Sequence, residues 1–393
     1  MKLQPIPIQP QSGAHQRRVM VPPPPYDRWL IFTLLAIVGL GLLMVASASI
    51  VVSDHQLHQP FYYLYKQAVF LILGVVLGTV VVQFEIETWE RISGSLLIGV
   101  MFLLAVVLFP GIGHSVNGSM RWIGMGVFGI QVSELAKFAM VIYLAGYLLR
   151  CNEEIKTSLS GFIKPMAILG VIVVLLLKEP DFGASVVIMA TALGMMFLAG
   201  MRLRHFIVLM AIVLVGMSVL AISAPYRMHR LTSFLNPWAN PFSSGYQLTQ
   251  SLIAFGRGGW FGVGLGKSIQ KLFYLPEAHT DFLFAVIAEE LGLIGMIVVI
   301  ALFTFLVIRI FMIGRQAQRL GQHYAGFVAY GFGLWIAIQF AVSIGVNSGL
   351  LPTKGLTLPL MSYGGSSLLV NCITIAVLLR IDYENRMTTL GLR

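Results

Sequence analysis

The feature that most limits what this chain can become is the recurrence of long apolar runs. They lie at about 29–52, 62–83, 92–110, 131–149, 161–178, 182–200, 205–225, 281–312, 322–346 and 357–380. Each is close to the ~20 residues that a helix needs to cross a ~30 Å hydrocarbon core. Helices satisfy their backbone polar groups internally, as a lipid surrounding demands. The expectation is an all-α polytopic membrane protein with ten transmembrane helices. A composition of 57% hydrophobic and 11% charged residues, with a mean hydropathy of +0.85, agrees and argues against a soluble domain. The net charge of +10 is accounted for by anionic lipid headgroups. No Lys/Arg cluster interleaves with aromatics on a polar segment, so no nucleic-acid partner is expected.

The basic residues set the orientation. Arg17, Arg18 and Arg28 precede the first run, Arg202 and Arg204 follow the sixth, and Arg309, Arg315 and Arg319 follow the eighth. Arg380, Arg386 and Arg393 close the chain. Alternating crossings place all of these on one side, which reads as cytoplasmic, together with both termini. Residues 1–28, rich in Pro and Gln, are expected to be a disordered cytoplasmic tail, 29–380 the membrane domain, and 381–393 a second cytoplasmic tail. Arg17 and Arg18 are followed by Val-Met-Val and four prolines rather than a short apolar core, so no cleavable signal is expected.

With that orientation the unusual sequence gathers outside. The external segments are 111–130, the tight hairpin 178–183, the long loop 226–280 and 347–356. Chemistry is therefore expected at the outer face. Stretch 271–292 is the densest, with Glu277, His279, Thr280 and Asp281 just before an apolar run that contains Glu289 and Glu290. On a continuous helix Asp281, Ala285 and Glu289 share one face, with Glu289 about 12 Å below Asp281 at ~1.5 Å per residue. Asp281 or Thr280 as a simple helix cap is the bland alternative. It leaves Glu289 unexplained, since an acid inside a span costs roughly 2.5–3.5 kcal/mol.

Several patterns carry less. Gly262-Val-Gly264-Leu-Gly266-Lys267-Ser268 looks like a phosphate loop, but Phe261 stands where that motif needs glycine and no strand precedes it. Arg227, Arg230, Arg257, Lys267 and Lys271 concentrate positive charge on an external loop, which suits an anionic group such as phosphate or lipid headgroups. Glu134 and Lys137 are spaced for an i, i+3 ion pair. Asp181 suits either a helix cap or a site residue. Cys151 and Cys372 offer neither a disulfide framework nor a metal site, and the histidines lack zinc-ligand spacing.

Two long motifs are specific. Leu275-Pro-Glu277-Ala-His279-Thr-Asp281-Phe, followed by Glu289-Glu290-Leu-Gly292, resembles the signature of the SEDS (FtsW/RodA) family. So does Leu350-Leu-Pro-Thr-Lys354-Gly, continuing to Pro359-Leu-Met-Ser362-Tyr-Gly364-Gly-Ser366. Arg121-Trp-Ile123, Pro180-Asp181-Phe-Gly183 and Ser244-Gly-Tyr246-Gln247 are similar as well, and the resemblance spans all ten runs. Val132 departs from it, because the family usually has proline after the Gln131 position. The Pro-Glu-Ala-His-Thr-Asp run and the long leading tail resemble the division branch more than the elongation branch.

The resemblance implies an inverting peptidoglycan glycosyltransferase that polymerises lipid II at the outer face of the bacterial inner membrane, at the division septum. It implies a class B penicillin-binding transpeptidase and other divisome membrane proteins as partners. Asp281 is then the expected general base. Arg121, Glu134, Lys137, Asp181, Arg227, Arg230, Glu277, His279, Glu289, Lys354 and Ser362 are the expected substrate-binding set. Positive charge for the departing diphosphate comes from the basic residues or from a bound Mg²⁺ or Mn²⁺. The competing readings are a flippase for lipid-linked precursors and an elongation polymerase.

Overall fold

The apolar runs fold as helices in the computed structural model, which describes residues 26–109, 113–116, 119–124, 129–157, 160–222 and 233–392. In chain order they are α1 (Arg28–Leu57), α2 (Tyr62–Val81), α3 (Ile86–Val107), α4 (Val132–Arg150), α5 (Asn152–Thr157), α6 (Ser160–Lys178) and α7 (Phe182–Leu198). There follow α8 (Leu203–Ile222), α9 (Tyr246–Gly258), α10 (Leu283–Arg319), α11 (His323–Asn347) and α12 (Gly365–Thr389). Seven of them, α1–α4 and α10–α12, are long and apolar enough to cross a membrane. Helices α6, α7 and α8 occupy the other three runs, and α7 is shorter at 17 residues.

Local chemistry sets the ends. Asp27 caps α1 by accepting from the Trp29 and Leu30 N–H groups at 3.0 and 3.3 Å. Its own N–H donates to Asp382 Oδ2 at 2.7 Å, and its carboxylate pairs with Arg309, so the start of α1 is tied to α10 and α12. Asp181 caps α7 by accepting from Ala184 N at 3.1 Å. Within the core α2 packs on α12, α3 on α4, and α10 on α11. Phe138 stacks on Phe332 at 5.3 Å and Phe303 on Phe340 at 4.3 Å.

Two features depart from the sequence reading. Segment 111–130 was expected to be a plain loop. It contains an antiparallel sheet of β1 (Gly113–Val116), β2 (Ser119–Ile123) and β3 (Ile130–Gln131), in that order. Trp122 pairs with Gln131, so Arg121 is presented on a strand fixed to the start of α4. The period-2 signal was too short to see, because β3 is only two residues long.

The eighth run is not one continuous helix from Asp281. Helix α10 starts at Leu283 and breaks at Gly292, whose φ of 66° and ψ of −162° no side-chain-bearing residue adopts cheaply. The first piece, 283–291, is about 13 Å long at ~1.5 Å per residue, too short to cross a membrane core. The loop after α9 repairs the break: Val263 and Gly264 N–H donate to the Glu289 and Glu290 carbonyls at 2.9 and 3.0 Å. Leu293 and Ile294 N–H donate in turn to the Gly259 and Trp260 carbonyls at 2.9 and 3.2 Å. A Cβ at Gly292 would lie 2.3 Å from Gly262 N. Gly292→Ala is therefore expected to cost at least about 2 kcal/mol, read as a lower melting temperature of the detergent-purified protein. An unchanged melt would show that the break tolerates a side chain.

Candidate active site

A polar cavity of about 1200 Å³ opens where α2, β2, the start of α4 and the segments 273–282 and 353–367 meet. Asp281 lies on its wall, in a turn and not in the helix. The Asp281 carbonyl accepts from Asn347 Nδ2 at 2.9 Å, and Asn347 Oδ1 accepts from Ala285 N at 3.1 Å. One α11 side chain thus fixes both the turn and the start of α10. Opposite, a Cβ at Gly355 would stand 2.8 Å from Asp281 Oδ2, so the chain there runs directly against the carboxylate.

The carboxyl of Asp281 is pushed up to about 7, first by burial and then by the Glu277 carboxylate, with Asp181 adding and Arg121 opposing. Asp281 is not the simple helix cap that was the bland alternative. The N-cap position of α10 is Phe282, and no side chain caps it. The Thr280 hydroxyl does not cap it either. It donates to Glu277 Oε2 at 2.8 Å and steadies a residue held at a φ of 57°. His279 is buried between the Tyr63 and Tyr363 rings, at 4.6 and 5.5 Å, and burial lowers its pKa, so it packs as a neutral wall residue.

On the far wall Arg121 donates from Nε to the Glu179 carbonyl at 3.2 Å and from Nη2 to the Pro180 carbonyl at 2.7 Å. Its Nη1 stands 3.8 Å from Asp181 Oδ2. Asp181 is at once a helix cap and a cavity residue. Glu179 beside it is buried, both its carboxylate oxygens lack a partner among the described residues, and burial followed by Asp181 pushes its pKa up to about 8. Lys354 lies on the wall with Nζ 4.0 Å from the Phe182 ring centre.

Glu134 and Lys137 form the anticipated pair, Nζ to Oε1 at 2.8 Å, both buried. Lys137 Nζ also donates to Gln339 Oε1 at 2.8 Å, which accepts from Trp335 Nε1 at 2.8 Å as well. Glu134 reaches the cavity; Lys137 sits behind it.

Besides Lys137, the expected site residues Glu289 and Ser362 stand apart from the cavity. Glu289 pairs with Arg257 at 2.6 Å and accepts from the Ser268 hydroxyl and the Ile269 and Gln270 N–H groups. Its neighbour Glu290 pairs with Lys271 at 2.8 Å and accepts from the Ser47 hydroxyl at 2.7 Å. These acids hold down the loop 257–271, which explains their burial without a substrate role. Ser362 is also buried; its hydroxyl accepts from Leu358 N at 3.1 Å and shapes the turn 358–362. Arg227 and Arg230 lie outside the described residues.

Lys66, Tyr63, Gln131, Gln247 and Tyr363 line the cavity and were not singled out as site residues from sequence. Gln247 and Tyr363 fall inside motifs quoted above. Lys66 had a signal of its own, as a lysine inside an apolar run. Among the described residues no group of three His, Cys, Asp or Glu side chains converges as a metal cage. A cation held by one or two of the cavity carboxylates and completed by diphosphate oxygens is compatible with the donors present.

These features define a polytopic helical membrane protein with a cavity lined by carboxylates and cations, and a carboxyl poised near neutrality. The profile of the FtsW, RodA and SpoVE family, described as "Cell cycle protein", matches residues 28–387, and the chain belongs to that family. It is 59% identical over 368 residues to the probable peptidoglycan glycosyltransferase FtsW of Legionella pneumophila, covering 94% of this chain and 93% of that one. It is 56% identical over 359 residues to the protein of the same name from Coxiella burnetii, covering 91% and 96%. Among solved structures it resembles a chain of a peptidoglycan synthase complex described for the coordination of polymerization and crosslinking. That match has a TM-score of 0.77 and 29% identity, covering 92% of this chain and 98% of that one. RodA of Thermus thermophilus matches with a TM-score of 0.67 and 28% identity, covering 92% and 97%.

Proposed function

We propose that this chain is a peptidoglycan glycosyltransferase of the division branch, polymerising lipid II at the outer face of the bacterial inner membrane. The observation that carries the chemistry is Asp281: a half-buried carboxylate on a polar cavity wall, with its pKa raised to about 7. A general base works best with a pKa near the operating pH. The acceptor sugar hydroxyl attacks the anomeric carbon of the donor and its proton passes to an Asp281 carboxylate oxygen. The bond from that carbon to the lipid diphosphate breaks, the diphosphate leaves with the electron pair, and the anomeric configuration inverts. Arg121 and Lys354 supply positive charge on the walls. Arg227 and Arg230 remain candidates for the same work, and Glu134, Asp181, Glu277 and His279 shape the site.

The identity to relatives named FtsW, 59% for one and 50% for another, against 28% to a RodA chain, favours division over elongation. The septum is accordingly the proposed location. The partner is a crosslinking transpeptidase of the class B penicillin-binding type, with other division proteins around it; similarity to a chain of a polymerising and crosslinking complex supports this. A flippase would need polar groups along the whole membrane depth. Here the cavity carboxylates and cations lie at one end, and below them Lys137 is closed in by Glu134, Gln339 and Trp335.

The test of function is glycan-chain formation from lipid II by the purified full chain, with and without its transpeptidase. No polymer under either condition would overturn the proposal. Ten crossings with both termini cytoplasmic and loop 226–280 outside complete the reading. With Cys151 and Cys372 replaced, single cysteines at Ser243 and Thr353 are expected to react with an impermeant thiol reagent applied outside, and one at Gln318 to stay unlabelled. Labelling at Gln318 would reverse the orientation.

A further inference from the structure

Helix α2 carries a lysine that the chemistry at Asp281 leaves unused. Tyr63, Lys66 and Phe70 recur at i, i+3 and i+7 and all face the cavity. The opposite side of α2 is apolar and bare, with Tyr65 67% and Ile72 63% exposed, as suits a lipid-facing surface. Lys66 therefore stands where the polar cavity meets the bilayer. A Gln67 side chain that donates to the Ser362 carbonyl at 3.1 Å fixes this part of α2 to the 355–365 wall.

Its electrostatic situation is distinctive. Arg121 is engaged by Asp181, and Lys137 by Glu134. Among the described residues Lys66 has no carboxylate at ion-pair distance, and its Nζ lies 5.3 Å from the Tyr62 ring centre. The charged groups acting on the Asp281 carboxyl are Glu277, Arg121 and Asp181. The cavity is thus polarised, with acids crowded around the base and an unneutralised ammonium on the membrane-side wall. An in-line displacement puts the leaving group on the far side of the sugar from the base. A lipid-linked donor entering from the bilayer beside α2 would bring its diphosphate to this ammonium.

We propose that Lys66 anchors the diphosphate of the lipid-linked substrate at the membrane-side wall of the cavity. The assignment rests on the glycosyltransferase reading and adds a residue to it. Lysine suits the task as a compact point charge for phosphate oxygens. Since the contact forms on binding and persists through the reaction, its loss acts on KM more than on kcat.

The experiment compares unsubstituted protein, Lys66→Gln and Lys66→Arg, each with the transpeptidase, for steady-state polymerisation of lipid II and for binding of undecaprenyl diphosphate. Lys66→Gln is expected to raise KM and weaken undecaprenyl diphosphate binding by about tenfold or more, from the typical worth of a charged hydrogen bond, with kcat changed less than about threefold. Lys66→Arg is expected to restore most of both, and the melting temperatures of all three to agree. A fall in kcat at unchanged KM and unchanged binding would overturn the assignment. So would equal displacement of undecaprenyl diphosphate by phosphatidylglycerol vesicles, which would make Lys66 a headgroup anchor. Failure of the unsubstituted protein to bind undecaprenyl diphosphate at all would remove the proposed function along with it.

Discussion

Asp281→Asn is expected to lower glycan-chain formation by about 10²–10⁴-fold while leaving folding, membrane insertion and transpeptidase binding intact. Asparagine keeps the shape, and the main-chain link from Asn347 to the Asp281 carbonyl does not involve the carboxylate. Nothing structural is lost, because the Asp281 side chain caps no helix. What disappears is the carboxylate that, in the proposed mechanism, takes the proton of the acceptor hydroxyl. Near-normal polymer from well-folded Asp281→Asn protein would remove Asp281 from the mechanism.

The pH profile gives a second reading of the same carboxyl. Its pKa is raised to about 7, and the base must be ionised to act. Activity of the unsubstituted protein is therefore expected to fall about tenfold per pH unit below pH 7 and to level off above it. Glu277→Gln removes the carboxylate that is the second cause of the rise, so the midpoint is expected to move to lower pH. A midpoint that stays fixed in Glu277→Gln would show that burial alone sets it.

The architecture was legible because lipid imposes one simple demand, and twenty-residue apolar runs answer it. The place of Asp281 on the cavity wall was legible too, as part of a polar cluster at the edge of a run. Glu289 lies away from the cavity, and the reason is geometric. Periodicity treats 281–312 as one cylinder, whereas Gly292 cuts it and the 259–264 loop inserts its backbone at the cut. Once the helix is broken, Glu289 and Glu290 become the natural partners of Arg257 and Lys271, which are distant in sequence. Lys66 escaped notice for the converse reason. One lysine near the end of an apolar run reads as an interfacial anchor until the fold shows that its face of α2 lines a cavity.

Lys137→Met is expected to be more damaging than Glu134→Gln and Lys137→Met together. Removing the ammonium alone leaves the Glu134 carboxylate buried without its counter-charge and strips Gln339 Oε1 of one donor. Breaking a buried pair from one side typically costs about 3–5 kcal/mol, whereas replacing both members by neutral groups is often close to neutral for stability. The single variant is thus expected to show a large loss of melting temperature, most of which the double variant recovers. Catalysis need not follow stability. Only Oε1 of Glu134 is used by the lysine, while Oε2, in a residue that borders the cavity, has no hydrogen-bond partner among the described residues. If that oxygen contacts substrate, the double variant folds well and still polymerises poorly, with the defect in KM. If the pair is purely structural, polymerisation returns together with the melt. A double variant no more stable than Lys137→Met would sink the pairing argument, because the uncompensated carboxylate would then not be what destabilises the protein.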